Sequence, residues 1–288
     1  MASRQQLKQR IGSVKSTKQI TKAMELVSAS KMRRAQEQAL RSRDYRNLAR
    51  KILARLRELT DVKKHPLYAQ RTITSRLHVV VTSNRGLAGA YNSNTLKRLT
   101  LELQQDKADG VTSKVIVIGK QGARFIVRFE DVQVLGVYES LPDQLTANAI
   151  RPMLDTITSA FMNGDVDAVD MLYTDYKTSI SQVVTVERLL PAAYVDEPVE
   201  PDLENAVFEP SPQAVLEAVT ERLIESQLSQ ALMESSASEQ SMRMMAMKSA
   251  TDNANDLIED LTLAFNTARQ AAITQELAEI TGGAEAIK

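Results

Sequence analysis

Few residue types in this 288-residue chain could carry out covalent or metal chemistry. It contains no cysteine and only two histidines, His65 and His78. The lack of cysteine excludes disulfides, thiolate nucleophiles and cysteine-ligated zinc, and two isolated histidines favour neither a histidine-rich metal site nor a catalytic triad. Most carboxylates lie in one acidic segment or on predicted helix faces. The sequence therefore predicts no catalytic residue, no metal site and no cofactor.

A glycine-containing loop, residues 83–90 (SNRGLAGA), is the one candidate for binding a phosphate. Its two glycines, Gly86 and Gly89, match neither GxGxxG nor GxxxxGK[ST]. Glycines with this spacing between a strand and a helix are more often turn residues. A nucleotide-binding α/β enzyme is thus the less favoured alternative function. Specific nucleotide binding by the isolated chain would support it.

Charge is distributed unevenly along the chain. Residues 1–60 hold 16 Lys and Arg against 4 Asp and Glu, a net charge of +12, although the whole chain is neutral. The basic stretch contains a single aromatic residue, Tyr45, so it lacks the aromatic interleaving of a nucleic-acid surface. A helical pattern continues through it, unlike a short transit peptide. No run of about 20 apolar residues predicts a membrane span, so we expect membrane association only through a partner.

The elements that must position any site are two long helices. Glycine and proline are absent from Ser13 to Lys64 and from Gln213 to Thr281, and the second stretch follows Ser211 and Pro212, a favoured N-cap and first helical residue. Helices of this length must bury a seam, the residues that face a partner helix. Spacings of three and four predict that seam at Ala254, Leu257, Leu261, Ala264, Ala268 and Ala271, and the N-terminal helix shows the same kind of face at Leu7, Ile11, Val14, Ile52, Leu56 and Leu59.

Between the helices, short β-branched runs at 77–81, 114–118, 132–137, 168–173 and 182–190 alternate with helical stretches at 93–105 and 149–161. This alternation predicts a mostly parallel, Rossmann-like sheet. We therefore predict an α/β protein with a long antiparallel coiled coil formed by its N- and C-terminal helices. A coiled coil between two copies remains open. The predicted parts are residues 1–64, the α/β domain 65–195, an acidic proline-rich linker 196–212 and residues 213–288.

Two segments suggest that the helices also contact other proteins. Residues 20–27 are apolar around much of the helix, whereas packing on one partner needs a single stripe. Residues 242–247 hold four of the 11 methionines. Methionine is flexible enough to fit changing neighbours as well as a core.

Four segments resemble the gamma subunit of F-type ATP synthases. They are residues 11–32 (IGSVKSTKQITKAMELVSASKM), 82–92 (TSNRGLAGAYN), 245–254 (MAMKSATDNA) and 268–284 (ARQAAITQELAEITGGA), which is similar to the family's C-terminal signature. They cover both ends of the chain and the part between. The sequence departs from the family's usual residues at Asn84, Ala88, Phe265 and Thr267, and these departures leave the expected role intact.

The resemblance implies a non-catalytic central-stalk rotor. Its partners would be three alpha and three beta subunits, the epsilon subunit and the membrane c-ring, with no nucleic acid and no membrane insertion. The family's beta-subunit contacts would fall on Lys22, Met24, Arg243, Gln270, Thr274 and Glu276, and those with the membrane ring near Phe208 and Glu209. A sleeve of the surrounding subunits would meet the last turns, near residues 273–280.

The resemblance also sets expectations for location. It implies a peripheral position on the cytoplasmic face of a bacterial inner membrane, since we find no recognisable transit peptide. A coiled-coil tether or scaffold is a third possible function. Co-purification separates it from a rotor, because a rotor binds three alpha and three beta copies per chain.

Overall fold

The computed structural model describes residues 4–139, 146–193, 199, 201–203 and 206–285. The α-helices are α1 (Arg4–Leu59), α2 (Tyr91–Ala108), α3 (Lys120–Ile126), α4 (Ala147–Met162) and α5 (Pro212–Glu285). The strands are β1 (Ser75–Val81), β2 (Thr112–Ile118), β3 (Gln133–Tyr138), β4 (Ala168–Tyr176) and β5 (Gln182–Leu190). Short 3-10 turns occupy Val62–Lys64, Pro66–Tyr68 and Pro201–Leu203.

The chain divides into two compact units. Met1–Ala29 and Arg243–Lys288 form the first, and Ser30–Met242 forms the second. Both α1 and α5 contribute residues to each unit, because the division falls inside these helices. The four parts predicted from sequence follow secondary structure instead, and their boundaries stay a prediction.

The Ser30–Met242 unit contains a five-stranded sheet in the order β3-β2-β1-β4-β5. The first four strands are parallel, and β5 runs antiparallel to β4. This confirms the mostly parallel sheet expected from the alternation of strands and helices. The five strands lie where the apolar runs predict them, and β5 has the predicted limits. Helix α3 was not predicted, because its seven residues are too few to show a helical period.

Both faces of the sheet are covered by helices. On one face, Val80 and Val117 pack with Leu99 of α2 and Ile126 of α3. The other face carries the larger core, which joins Val79 to α4 and to residues of both long helices: Leu53, Leu56, Leu216, Leu223 and Leu228. A sheet buried on both faces explains why its central strands read as continuous apolar runs.

The two long helices pair within the chain and run antiparallel, as predicted. In the first unit Thr21 contacts Thr251, whereas in the second unit Leu56 shares a core with Leu223. Residue numbers therefore rise along α1 as they fall along α5. Helix α5 begins as expected at Pro212, with the Ala214 amide donating to Ser211 Oγ over 3.2 Å. Much of the predicted acidic linker, at positions 196–198, 200, 204 and 205, lies outside the described residues.

The predicted seam of α5 is correct at every second position and wrong at the others. Ala254 is buried, and Leu261 and Ala268 are half-buried, as expected. Leu257, Ala264 and Ala271 are instead exposed, and the residue after each one is half-buried: Ile258, Phe265 and Ala272. Both frames alternate spacings of three and four, but the observed frame buries the larger Ile258 and Phe265 side chains.

Candidate functional site

The paired helices of the first unit carry exposed apolar residues that mark a candidate contact surface. In α1, the least exposed positions follow spacings of four and three, at Leu7, Ile11, Val14, Lys18, Thr21, Glu25 and Ser28. This seam is apolar only at its start. From Lys18 onward its residues are polar, and Thr21 and Ser28 are 8% and 2% exposed. The polar side of α1 therefore faces α5.

A pair of hydroxyls joins the two helices at the middle of this polar seam. Thr21 Oγ1 and Thr251 Oγ1 lie 2.8 Å apart. Each hydroxyl also lies within hydrogen-bond distance of its own helix, Thr21 at 3.0 Å from the Lys18 carbonyl and Thr251 at 2.8 Å from the Met247 carbonyl. Because each hydroxyl has one proton, one threonine donates across the helices while the other donates to its own backbone. A buried polar pair of this kind fixes the register of a coiled coil.

The apolar side of α1 faces away from α5. Ile20, Leu26 and Val27 are 61%, 61% and 56% exposed, and Ala23 is also exposed. We call Ile20, Ala23, Leu26 and Val27 the outward apolar face. At 3.6 residues per turn, Ala23 lies about 180° from the centre of the seam, and Ile20 and Val27 lie about 120° and 140° from it. An ordinary amphipathic helix shows the reverse pattern, and contiguous exposed apolar residues mark an interaction site.

The last part of α5 extends past the described part of α1. Because Thr21 lies beside Thr251 and the helices are antiparallel, Arg4 at the start of α1 is opposite Ala268. From residue 269 to 282 every residue except Ala272 is exposed. Ile273, Leu277 and Ile280 are 47%, 59% and 68% exposed and lie on one side of the helix, at spacings of four and three. We call these three residues the terminal apolar stripe.

The residues predicted to contact beta subunits lie in this same unit but not on one face. Lys22 is exposed and pairs with Glu25 over 2.9 Å, and Met24 is half-buried. Two residues apart, they project about 160° from each other on opposite flanks of the outward apolar face.

The predicted contacts near the end of α5 are all exposed. They are Gln270, Thr274 and Glu276. The Thr274 hydroxyl donates to the Gln270 carbonyl over 3.0 Å, so these two residues share a side. Glu276 lies about 120° around the helix from Gln270, with the terminal apolar stripe between them.

Arg243 differs from the other predicted contacts. Its side chain is 7% exposed, so it presents little surface in this structure. Of the two residues predicted near the membrane ring, Phe208 packs on the core of its own unit and Glu209 is exposed. Of the methionine cluster, Met245 is 42% exposed and Met247 is buried. All these contacts with other subunits stay predictions.

The glycine-containing loop before α2 is closed by its own hydrogen bonds. The Ser83 amide donates to Asn92 Oδ1 over 3.0 Å, and the Ser83 hydroxyl donates to the Arg85 carbonyl over 2.7 Å. Leu87 takes a left-handed conformation, with φ of 63°. In the part of the chain that the structure describes, no three His, Asp or Glu side chains are grouped as they would be around a metal ion. The described helices include none long and apolar enough to cross a membrane.

Comparison with known proteins gives one consistent result. A family model described as ATP synthase matches residues 3–287. The chain is 42% identical to an ATP synthase gamma chain of Hyphomonas neptunium and 38% identical to one of Moorella thermoacetica, with 100% of both sequences covered in each case.

Two solved structures share the fold. A chain of the Euglena gracilis mitochondrial ATP synthase, in a structure of OSCP, F1 and c-ring, matches with a TM-score of 0.67 at 17% identity, over 98% of this chain and 93% of that one. A chain of the Tetrahymena thermophila mitochondrial ATP synthase central stalk and c-ring matches with a TM-score of 0.60 at 24% identity, over 80% and 99%. By its full-length match to the family model and to these relatives, the chain belongs to the family of ATP synthase gamma chains.

Proposed function

We propose that the chain is the central-stalk rotor subunit of an F-type, proton-translocating ATP synthase. It couples rotation of a membrane ring to conformational change at catalytic beta subunits and catalyses no reaction itself. The observation that carries this proposal is the reversed helix α1, which turns polar residues toward α5 and its outward apolar face toward solvent. Family membership supplies the assembly in which that face is covered.

The reversed pattern suits a surface that must bind and then release its neighbours. Burying apolar side chains contributes about 25 cal/mol per Å² without fixing a direction of approach. A helix with apolar residues on one side only presents a different surface to each subunit around it. A rotor drives its neighbours by binding their alternative conformations with different affinity, so an asymmetric surface is what the task requires.

The proposed partners are three alpha subunits, three beta subunits, an epsilon subunit and the c-ring. We assign the beta-subunit contacts to Lys22, Met24, Arg243, Gln270, Thr274 and Glu276. Solvent exposure most strongly supports the assignment of Lys22 and of the residues near the end of α5, which are Gln270, Thr274 and Glu276. Arg243 needs a local rearrangement to reach a partner, because its side chain is buried.

We assign the contact with the membrane ring to the segment of Phe208 and Glu209. Beside them Val207 is 85% exposed, which supports an apolar contact at this point of the chain. The chain then lies in the membrane-associated complex through its partners. We place it on the cytoplasmic face of a bacterial inner membrane.

The test is the mass of the native complex purified through a tag on this chain. We expect three alpha and three beta copies for each copy of this chain, together with ATP-driven rotation of the chain against the immobilised ring of alpha and beta subunits. The tether hypothesis expects rotation to be absent and the ratio to vary between preparations. Recovery of the chain without alpha and beta subunits would contradict the proposed function.

A further inference from the structure

Helix α5 carries three serines where a packed helix would be expected to carry apolar residues. Ser235, Ser238 and Ser241 follow one another at a spacing of three, and each is 0% exposed. Serine is a poor residue for a helix interior, and a buried hydroxyl costs free energy unless it is hydrogen-bonded. All three lie in the Ser30–Met242 unit, where α5 passes the sheet. We call them the serine row.

Each hydroxyl of the serine row is hydrogen-bonded to the α/β part of the same unit. Ser235 Oγ lies 2.7 Å from the Tyr91 hydroxyl and accepts a long bond of 3.4 Å from the Thr174 amide. Ser238 Oγ donates to the Thr174 carbonyl over 3.0 Å. Ser241 Oγ donates to the Ser179 carbonyl over 2.8 Å and accepts from Gln182 Nε2 over 3.2 Å. These partners belong to α2, β4, β5 and the connection between the two strands.

The serine row takes the place of a neighbouring strand at the end of β4. The pairing of β1 with β4 ends at Val80 and Leu172, whereas β4 continues to Tyr176. At Thr174, both the amide and the carbonyl bond to hydroxyls of α5. Both bonds are made to backbone groups of β4, which every residue has. They therefore fix the position of α5 relative to the strand itself and not relative to one of its side chains.

Bonds of this kind resist a motion that apolar packing does not. Apolar contacts have no preferred direction, so they define the rotation of a helix about its axis less sharply than hydrogen bonds do. A hydrogen bond weakens steeply as its angle and distance change. Residues three apart wind slowly around a helix, so the three bonds cannot all survive a rotation or a slide of α5.

We propose that Ser235, Ser238 and Ser241 are positioning residues that lock α5 against rotation on the sheet and so transmit torque between the α/β part of the chain and this helix. The inference rests on the proposed rotor function and assigns residues to one step of it. The three serines are 0% exposed and bond to residues of this chain, so they offer no surface to nucleotide or to a neighbouring subunit. Loss of the serine row is therefore expected to separate ATP hydrolysis from ion transport.

The experiment uses the whole ATP synthase in lipid vesicles, with Ser235→Ala, Ser238→Ala and Ser241→Ala combined in this chain. We expect normal subunit ratios, ATP hydrolysis within about twofold of the unchanged complex, and ion transport per ATP reduced at least about threefold, the scale of one lost buried hydrogen bond. The matched control is Ser249→Ala, which removes an exposed serine hydroxyl from the same helix and should leave transport per ATP unchanged.

A second pair of variants keeps the test decisive if the triple variant fails to assemble. Tyr91→Phe and Ser235→Ala each remove one partner of the same hydrogen bond. We expect each alone to lower transport per ATP and the double variant to be no worse than the worse single one, since it leaves no hydroxyl without its partner. The inference is overturned if transport per ATP is unchanged in the triple variant, or unchanged in this pair when the triple variant is not recovered. It is also overturned if Ser249→Ala lowers transport equally. Failure of the unchanged chain to bind alpha and beta subunits would instead contradict the rotor function.

Discussion

At the scale of single residues, the Asp106 carboxylate of α2 forms a buried polar network with residues of β1 and β2. It is 0% exposed, and its Oδ2 accepts a hydrogen bond from Ser113 Oγ at 2.9 Å and lies 2.7 Å from His78 Nε2. Its Oδ1 forms an ion pair with Arg76 Nη1 at 3.1 Å. Burial is the largest influence on the pKa of Asp106 and acts to raise it. The bonds from His78 and Ser113 and the charges of His78 and Arg76 together outweigh burial, so the pKa lies below 3.8.

This network predicts a pH-dependent loss of stability on replacing Asp106. Because its folded-state pKa lies below the unfolded value, the carboxylate stabilises the fold above pH 3.8, and that contribution is lost as the pH falls through the folded-state pKa. We expect Asp106→Asn to lower the free energy of unfolding by about 3 kcal/mol at neutral pH, because it breaks a buried ionic contact, and by clearly less near pH 3. Urea unfolding of the full chain, followed by circular dichroism, measures both values.

The control for this prediction is Asp109→Asn, at an exposed carboxylate that accepts from Gln105 on the same helix. Its effect should stay within about 0.5 kcal/mol at either pH. An equal loss for Asp106→Asn at both pH values would show that the bonds do not depend on the ionised carboxylate.

Sequence alone favoured neither a metal-binding nor a catalytic role for His78, and it did not show what this residue contacts. Its position near the start of the apolar run 77–81 places His78 in a strand, where it is buried. Asp106, 28 residues away, reads in sequence as one more polar residue near the end of an amphipathic helix. Only the packing of α2 on β1 brings the two together, and helix periodicity does not encode that distance.

At the scale of elements, the long helices show what a periodic pattern can and cannot settle. Their existence, their pairing and the start of α5 at Pro212 followed from glycine and proline placement and from the cap. The frame of the α5 seam did not, because spacings of three and four fit two frames that share half their residues. The polar seam of α1 was also hidden, since the apolar residues at 20–27 read naturally as packing residues. They indicated a second contact surface, but not that α5 lies on the opposite side.

The end of α5 should be the least stable part of that helix in the free chain. Residues 269–285 have no partner helix among the described residues, and a single helix of about this length is marginal in water. We expect their amide hydrogens to exchange at least about 100-fold faster than those of residues 247–254, which include the buried Met247, Thr251 and Ala254. In the assembled complex the difference should largely disappear if the sleeve predicted to meet residues 273–280 covers the terminal apolar stripe. Hydrogen exchange followed by mass spectrometry measures both states.

The segment 247–254 is the internal reference, because it belongs to the same helix and the same unit. Equal exchange of the two segments in the free chain would mean that the terminal part is stabilised without a partner. Fast exchange that persists in the complex would contradict the proposed cover over Ile273, Leu277 and Ile280.

At the scale of the whole molecule, the chain catalyses no reaction itself. The effect of a substitution must therefore be measured on the coupling between ATP hydrolysis and rotation. The contact residues came from family resemblance, and their exposure supports most of them. Composition could not have found them, since Gln270, Thr274 and Glu276 are ordinary residues of a solvated helix. What distinguishes them physically is position: they flank an apolar stripe that the described residues of the chain leave uncovered.

The positions of these residues predict how two kinds of change to the assembled complex rank by their effect on ATP-driven torque. Removing the last ten residues, 279–288, deletes only Ile280 from the terminal apolar stripe and leaves the outward apolar face, Met24 and Gln270 in place. Replacing Met24, or Gln270 together with Glu276, by alanine keeps the helix length but removes the side chains assigned to the beta subunits. Since interface energy concentrates in a few contacts, we expect the truncation to reduce ATP-driven torque by less than about twofold and the replacements by more. Single-molecule rotation under load compares them directly, with Gln275→Ala as the matched exposed glutamine. Equal torque in all of these variants would mean that coupling passes through other residues.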